Sequence, residues 1–248
     1  MADDQSTEPN TNQTRPEPSR KQVYKMFDRI AGRYDLLNRL LSSGIDRRWR
    51  ARLARLLPPC DNLEVLDLAS GTADQLIALA ETGRVARGVG LDLAEQMLAI
   101  GRNKIKRRGL DQILTLSVGD AENLPFQPSS FDAVTISFGI RNMTDTPRTL
   151  AEMHRVLKPG GRALILEFSL PTNRFVRRTY LIYLRHVLPR LGALISGDSS
   201  AYRYLNETIE TFPYGDAFCR LMTAAGFANV SCTPLTFGIA TIYQGAKK

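Results

Sequence analysis

Three acidic residues fall at or near the ends of short apolar runs, and the residues around them suggest the same kind of chemistry. Asp67-Leu68-Ala69-Ser70-Gly71-Thr72-Ala73-Asp74 closes the run Val65–Ala69. Small residues at 69, 70, 71 and 73 let the backbone turn tightly and let a ligand approach it. The helix that should follow offers free N–H groups to an anion such as a carboxylate. Alone, this turn fits a plain strand-to-helix corner equally well. Asp92 ends the next run, Val89-Gly90-Leu91-Asp92. It lies about 20 residues beyond the turn, the spacing of a carboxylate that accepts both hydroxyls of a ribose. It would also serve as a cap for a helix starting at Ala94. Asp120 opens Asp120-Ala121-Glu122-Asn123-Leu124-Pro125-Phe126. An acid or amide here can take an amino proton of adenine, and Leu124 and Phe126 either wall the base or pack in the core. Ser137-Phe138-Gly139-Ile140-Arg141-Asn142 adds polar groups after the fourth run.

Other chemistries find little support. Cys60, Cys219 and Cys232 are far apart and odd in number, so neither a disulfide framework nor a zinc site is expected. With His154 and His186 the only histidines, no histidine-rich metal site is expected. The net charge of +8 favours anionic ligands, nucleic acid or an anionic membrane surface, though general solubility explains it too. No apolar run reaches spanning length, and the acid-containing N-terminus resembles neither a signal core nor a transit peptide.

The elements that must hold these residues follow from periodicity. Residues 1–20 are polar and proline-containing and read as a disordered tail. Residues 21–60 carry apolar residues at helical spacing (Val23, Met26, Phe27 and Ile30, then Trp49, Leu53, Leu56 and Leu57) and read as a helical cap stopped by Pro58-Pro59. Strands are expected at 65–69, 85–92, 113–118, 131–137, 162–168, 229–233 and 239–245. Helices are expected at 73–82, 94–108, 146–157 and 215–225, and Lys158-Pro159-Gly160-Gly161 reads as a turn. Strands alternating with helices predict an α/β fold. It is Rossmann-like and doubly wound, with a mostly parallel seven-stranded sheet. Residues 171–212 interrupt the rhythm before the last helix. Their middle, Phe175–Ile195, interleaves arginines with apolar residues and reads as a helical insertion over the ligand edge, or as an ordinary amphipathic helix packed on the sheet.

Taken together, Asp67–Asp74, Asp92, Asp120-Ala121 and Val156-Leu157-Lys158-Pro159-Gly160-Gly161 resemble the class I S-adenosylmethionine methyltransferases. The turn lacks the glycine pattern that a dinucleotide pyrophosphate requires. The resemblance narrows at Tyr34–Asn38, Gly44–Trp49, Ile136–Asn142, His186–Arg190 and Tyr202–Leu205. These are similar to the ubiquinone/menaquinone biosynthesis C-methyltransferases, Ser137–Asn142 most specifically, and the similarity covers nearly everything after Arg20.

That resemblance implies one methyltransferase domain over 21–248, S-adenosylmethionine as methyl donor and no metal. Thr72 would lie beside the methionine portion, Asp92 on the ribose, Asp120 and Ala121 at the adenine, and Ser137 near the transferred methyl. Asp67 and Gly71 complete the set. One residue departs from the family, Ala73 in place of glycine, whose methyl would crowd the ligand or demand a negative φ. The implied reaction is methylation of a ring carbon of a polyprenylated quinol, demethylmenaquinol being favoured over a ubiquinone precursor. Arg141 is then the candidate to stabilise the phenolate and His186 the general base, with Tyr202 and Tyr204 weaker candidates. Each has a structural alternative, a surface or capping arginine and a buried histidine among them. A lipid-soluble acceptor implies peripheral contact at the inner face of the membrane by a cytoplasmic protein, its arginines at lipid head groups. Assembly of several copies is left open. Competing readings are a methyltransferase for another small or lipid-like acceptor, a non-catalytic S-adenosylmethionine-binding module and, last, a nucleic-acid binder.

Overall fold

The computed structural model describes residues 23–25, 28, 31–32, 42, 44–188, 190 and 199–248, with the backbone alone for 199–203. The expected tail over 1–20, the apolar residues Met26, Phe27 and Ile30, and the end of the 175–195 helix lie outside the described residues.

Seven strands form one sheet: β1 Leu63–Leu68, β2 Val85–Asp92, β3 Leu114–Val118, β4 Phe131–Ser137, β5 Leu157–Phe168, β6 Ala228–Leu235 and β7 Ala240–Ala246. Their order is β3-β2-β1-β4-β5-β7-β6. The first five are parallel, and β7 runs antiparallel between β5 and β6. The order reverses between β1 and β4, so the carboxyl ends of these two strands flank the crevice where doubly wound sheets bind ligands. The mostly parallel, seven-stranded, doubly wound arrangement agrees with the sequence.

Helices cover both faces. They are α1 Asp46–Ala54, α2 Asp74–Ala80, α3 Glu95–Arg107, α4 Thr146–Val156, α5 Arg174–Ile182, α6 Ser199–Thr211 and α7 Asp216–Ala224. Alternate strand residues feed two cores, as a sheet buried on both sides requires. Val65, Ala133, Leu164 and Leu166 meet Trp49 and Leu53 of α1 and Leu76 of α2. Leu66, Val134 and Ile165 meet Leu150 and Met153 of α4 and Phe218 of α7. Asp67 and Ser137 follow Val65 and Thr135 in the alternation, so they point toward the α1 and α2 side. Asp145 caps α4, accepting from Arg148 N at 2.9 Å.

Two local expectations are corrected. Lys158-Pro159-Gly160-Gly161 is not a free turn but the irregular start of β5. Helix α4 ends two residues before Lys158, since the residue before a proline avoids the helical region. Gly160, at φ 81°, donates to Lys247 O at 2.8 Å, and Lys247 N returns a bond to Gly161 O at 3.0 Å. Ala73 has neither consequence expected of it. Its φ is 66°, left-handed despite the side chain. Its methyl is fully buried against α3 at Gly101, where an added Cβ would stand 3.2 Å from it. The left-handed conformation costs about 1 kcal/mol, and burial of the methyl offsets part of it.

Within the 171–212 stretch, the described residues from Arg174 to Thr211 are helical. Asn173 caps α5 by accepting from Phe175 N and Val176 N. Helix α5 continues into a π-helical turn at Tyr183–Val187. Tyr180, Leu184 and Leu188 are its buried stripe.

Candidate active site

The turn after β1 is held over β2 before any ligand arrives. Ser70 N donates to Leu91 O at 2.9 Å. Gly90 leaves the necessary room, because a Cβ there would lie 2.6 Å from Ser70 Oγ. At the end of β2, Asp92 Oδ2 accepts from Gly71 N at 2.8 Å and Oδ1 from Ala94 N at 2.8 Å. Asp92 is not the helix cap expected of it, since the N-cap of α3 is Ala94 and no side chain caps that helix, but the two turn N–H groups orient its carboxylate. Burial pushes its pKa upward, against the lowering effect of these backbone donors.

A cleft of about 680 Å³ opens above this carboxylate. Gly71 and Asp92 line it together with Met97, Ala121, Phe138 and Asn142. Its wall is mostly apolar, with one carboxylate, which suits a nucleoside. A second cavity of about 280 Å³ shares Ala69 and Gly71 with the cleft and is polar. Asp67, Thr72, Gln75, Ser137 and Arg50 line it. Asp67 is 1% exposed, and burial pushes its pKa up to about 6 despite hydroxyl donors, Thr135 Oγ1 at 2.5 Å and Ser70 Oγ at 2.7 Å. Its partner Thr135 stands opposite it in the β1–β4 register.

Thr72 Oγ1 accepts from Lys104 Nζ at 2.9 Å, and Ser137 Oγ donates to Gln75 Oε1 at 3.0 Å. Asp120 is half-buried, its Oδ1 accepting from Glu122 N at 2.7 Å, and its neighbours Gly119 and Ala121 reach the cleft wall. The structure thus gathers Asp67, Gly71, Thr72, Asp92, Ala121 and Ser137 around two joined cavities. Asp120 stands just behind their wall.

The proposed catalytic residues fare differently. Arg141 is neither a surface residue nor part of either cavity wall. Its side chain is 5% exposed and pairs with Glu167 Oε1 at 2.6 Å while Nη1 also donates to Phe138 O at 2.7 Å. It stacks on Phe168 at 5.5 Å, and its Nε has no hydrogen-bond partner. His186 is exposed in the π-helical turn, in a shallow groove with Arg174, Arg177, Arg178 and Arg185. It lines neither of the two cavities, since Leu184 and Leu188 take the buried stripe of this turn. The Tyr202 side chain lies outside the described residues. Tyr204 donates to Asn142 Oδ1 at 3.2 Å, beside the cleft.

Sequence reasoning missed Arg50, Gln75, Met97 and Phe138. For Arg50 a signal existed. Asp46, Trp49, Arg50 and Leu53 fall at i, i+3, i+4 and i+7, and all four are buried.

The fold, with its cleft at the carboxyl ends of β1 and β4, is that of a class I S-adenosylmethionine-dependent methyltransferase. The chain belongs to the ubiE/COQ5 methyltransferase family, whose model matches residues 15–247. A demethylmenaquinone methyltransferase of Thermus thermophilus is 49% identical over 220 residues, covering 89% of this chain and 99% of that protein. The ubiquinone/menaquinone biosynthesis C-methyltransferase UbiE of Geobacter sulfurreducens is 44% identical over 228 residues, covering 92% of this chain and 89% of that one. Among solved structures, an S-adenosylmethionine-dependent methyltransferase from Thermotoga maritima, described as a possible histamine N-methyltransferase, superposes with a TM-score of 0.62 at 20% identity, covering 91% of this chain and 100% of that one. At that identity the likeness is one of fold. Among the described residues no group of three or more His, Cys, Asp or Glu side chains is arranged to hold a metal ion.

Proposed function

We propose that this chain methylates a ring carbon of a polyprenylated hydroquinone, demethylmenaquinol in the first instance, with S-adenosylmethionine as donor. The observation that carries the reading is the pair of joined cavities beside the β1 turn, in a chain that follows the quinone C-methyltransferases over nearly its whole length. The donor supplies an electrophilic sulfonium methyl. Asp92 receives the ribose hydroxyls, and Ala121 and Met97 flank the adenine, with Asp120 behind them. Gly71 allows close approach, and Thr72 and Ser137 border the methionine portion. The acceptor's phenol must ionise, its ring carbon must form the new C–C bond as the S–C bond breaks, and the ring must then lose a proton. Alignment within roughly 3–3.5 Å is the protein's main contribution. For the phenolate oxygen the reading offers Arg141 Nε–H, a buried donor without an acceptor beside the 138–143 turn. Arg141 also positions that turn, through Phe138 O.

Purified protein given S-adenosylmethionine and reduced demethylmenaquinone analogues is expected to yield the methylated quinone. No transfer to any reduced quinone would end this reading. In a deletion strain, mass spectrometry of the accumulating quinones separates menaquinone from ubiquinone precursors. For Asp92, an amide would turn one N–H pair toward Gly71 N or Ala94 N. Asp92→Asn is therefore expected to weaken S-adenosylhomocysteine binding on the order of 30-fold by calorimetry. Unchanged affinity would leave Asp92 only as a bridge between the Gly71 and Ala94 turns.

The same reading includes contact with an anionic bilayer. Among the described residues no helix is long and apolar enough to cross a membrane. Yet Phe175 is 76% exposed and Phe237 81% exposed, with Ile182 at 50%. Phe237 sits in a run of three left-handed residues, Thr236, Phe237 and Gly238, at φ 43°, 58° and 89°. Gly238 lies against Pro171, three residues before α5 begins, and Arg174, Arg177 and Arg178 line the adjoining groove. Strained backbone that displays an exposed aromatic ring, in a chain that also exposes a groove lined by arginines, fits an interfacial anchor. In liposome flotation with anionic lipid, Phe175→Ser with Phe237→Ser is expected to lower the partition coefficient at least about tenfold. Binding unaffected by the double substitution would remove these rings from the contact.

A further inference from the structure

The left-handed run Thr236–Gly238 is clamped at both ends. Trp49 Nε1 donates to Thr236 Oγ1 at 2.9 Å, and Ser169 Oγ donates to Gly238 O at 2.8 Å. Phe237, between the clamps, is 81% exposed. Positive φ at a β-branched residue such as Thr236, here 43°, is an outlier, and such backbone persists only where its surroundings over-determine it. An indole has one N–H to give, so the bond to Thr236 also fixes the rotation of the Trp49 ring.

Both clamps lead to one aromatic cluster. Trp49 is 4% exposed, and its ring lies 6.2 Å from that of Phe138 and 6.4 Å from that of Phe168. The Phe138 and Phe168 rings are 4.4 Å apart, and Ser169 follows Phe168 directly. Phe138 lines the main cleft, and it too is left-handed, at φ 59°. One hydrogen bond and one ring contact therefore connect the exposed loop to the cleft wall. Close-packed rings of this kind shift together rather than deform.

We propose that Trp49 is a positioning residue that couples bilayer contact at Phe237 to the Phe138 wall of the cleft, so that the donor is held more tightly at a membrane surface than in solution. This rests on the bilayer and donor readings above. Insertion of Phe237 into lipid favours the clamped run, and Trp49 passes that preference to Phe138. The coupling is reciprocal, so a bound donor strengthens the hold on the bilayer by the same factor.

The test uses the intact chain, S-adenosylhomocysteine, and mixed phosphatidylcholine and phosphatidylglycerol vesicles. At lipid concentrations that bind all the protein, calorimetry is expected to show S-adenosylhomocysteine held about fivefold more tightly than in solution. Trp49 is the only tryptophan, so tryptophan emission reads this position alone. It should shift when vesicles are added without ligand, and in a ring this buried the shift reports rearrangement rather than lipid contact. Thr236→Val keeps the shape of the side chain and removes the acceptor. It should bind S-adenosylhomocysteine in solution within about threefold of the native chain and show no vesicle effect at saturating lipid. A native affinity unchanged by vesicles that bind the protein overturns the proposal, as does a full vesicle effect in Thr236→Val. If Thr236→Val does not fold, the native chain decides alone, and an emission that vesicles leave unmoved overturns the role of Trp49. A native chain that does not bind the vesicles would defeat the bilayer reading, and one that does not bind S-adenosylhomocysteine the donor reading, in each case with this proposal.

Discussion

Arg141→Met is expected to lower the stability of the fold by about 3–5 kcal/mol, the usual cost of stranding one member of a buried ion pair. Glu167 is 1% exposed, and its carboxylate also accepts from Arg141 N at 3.3 Å and Phe168 N at 2.8 Å. Those two backbone donors cannot neutralise a full charge at the carboxyl end of β5. Adding Glu167→Gln removes that charge and should restore most of the loss, since an amide oxygen can still accept from the same N–H groups. The measurement is denaturant unfolding of the two single variants and the double variant, read as a cycle. A single variant within about 1 kcal/mol of the native chain would mean that water already reaches Glu167. The stable double variant then serves a second purpose. If Arg141 Nε–H contacts the phenolate, its kcat stays depressed on the order of 100-fold, as for loss of one oxyanion donor. If Arg141 serves only to pair Glu167 in the fold, turnover returns with stability.

Asp67→Asn should stabilise the ligand-free protein at pH 8 and weaken its hold on the donor. The folded-state pKa of Asp67 lies above the ordinary 3.8, at about 6, chiefly because burial disfavours its charge. A group raised in this way contributes stability that is fully present below its unfolded value and is lost as pH rises through the folded one. The window therefore runs from about pH 4 to about pH 6, and above it the buried charge costs about 3 kcal/mol. The amide removes that cost, and the Thr135 and Ser70 hydroxyls can rotate to accept from its NH₂ group. Arg50 loses part of its counter-charge in the exchange, so a net gain of about 2 kcal/mol is expected at pH 8, vanishing near pH 4. Unfolding curves at the two pH values check the sign. A variant equally stable, relative to the native chain, at both would mean that Asp67 is solvated.

The sheet was legible because its strands are short apolar runs with turn residues at both ends. Phe131–Ser137 and Val85–Asp92 coincide with β4 and β2. Asp92 was legible from spacing, since the distance from the β1 turn to the end of β2 is a property of the fold. The pairing of Arg141 was not, because its partner Glu167 lies 26 residues on, at the end of the apolar run Ala163–Leu166. Only the β4–β5 pairing brings the two together. The orientation of His186 was within reach, since Tyr180, Leu184 and Leu188 at four-residue spacing already place it on the opposite face. The extended start of β5 depended on Lys247, at the far end of the chain, and no local pattern carries that information.

Among the described residues, all those on the wall of the main cleft except Val23 and Tyr24 fall between Ala69 and Met143, whereas α5, α6 and the exposed aromatic rings come from later in the chain. Under the proposed function, the nucleoside end of the donor is gripped mainly by the stretch 69–143, which includes none of 171–212. Recognition of the two reactants would then be modular along the chain, and a chimera carrying 171–212 of another family member is expected to inherit that member's acceptor range and keep this protein's grip on the nucleoside. In that arrangement acceptor preference can drift over generations without disturbing the machinery that holds the methyl donor.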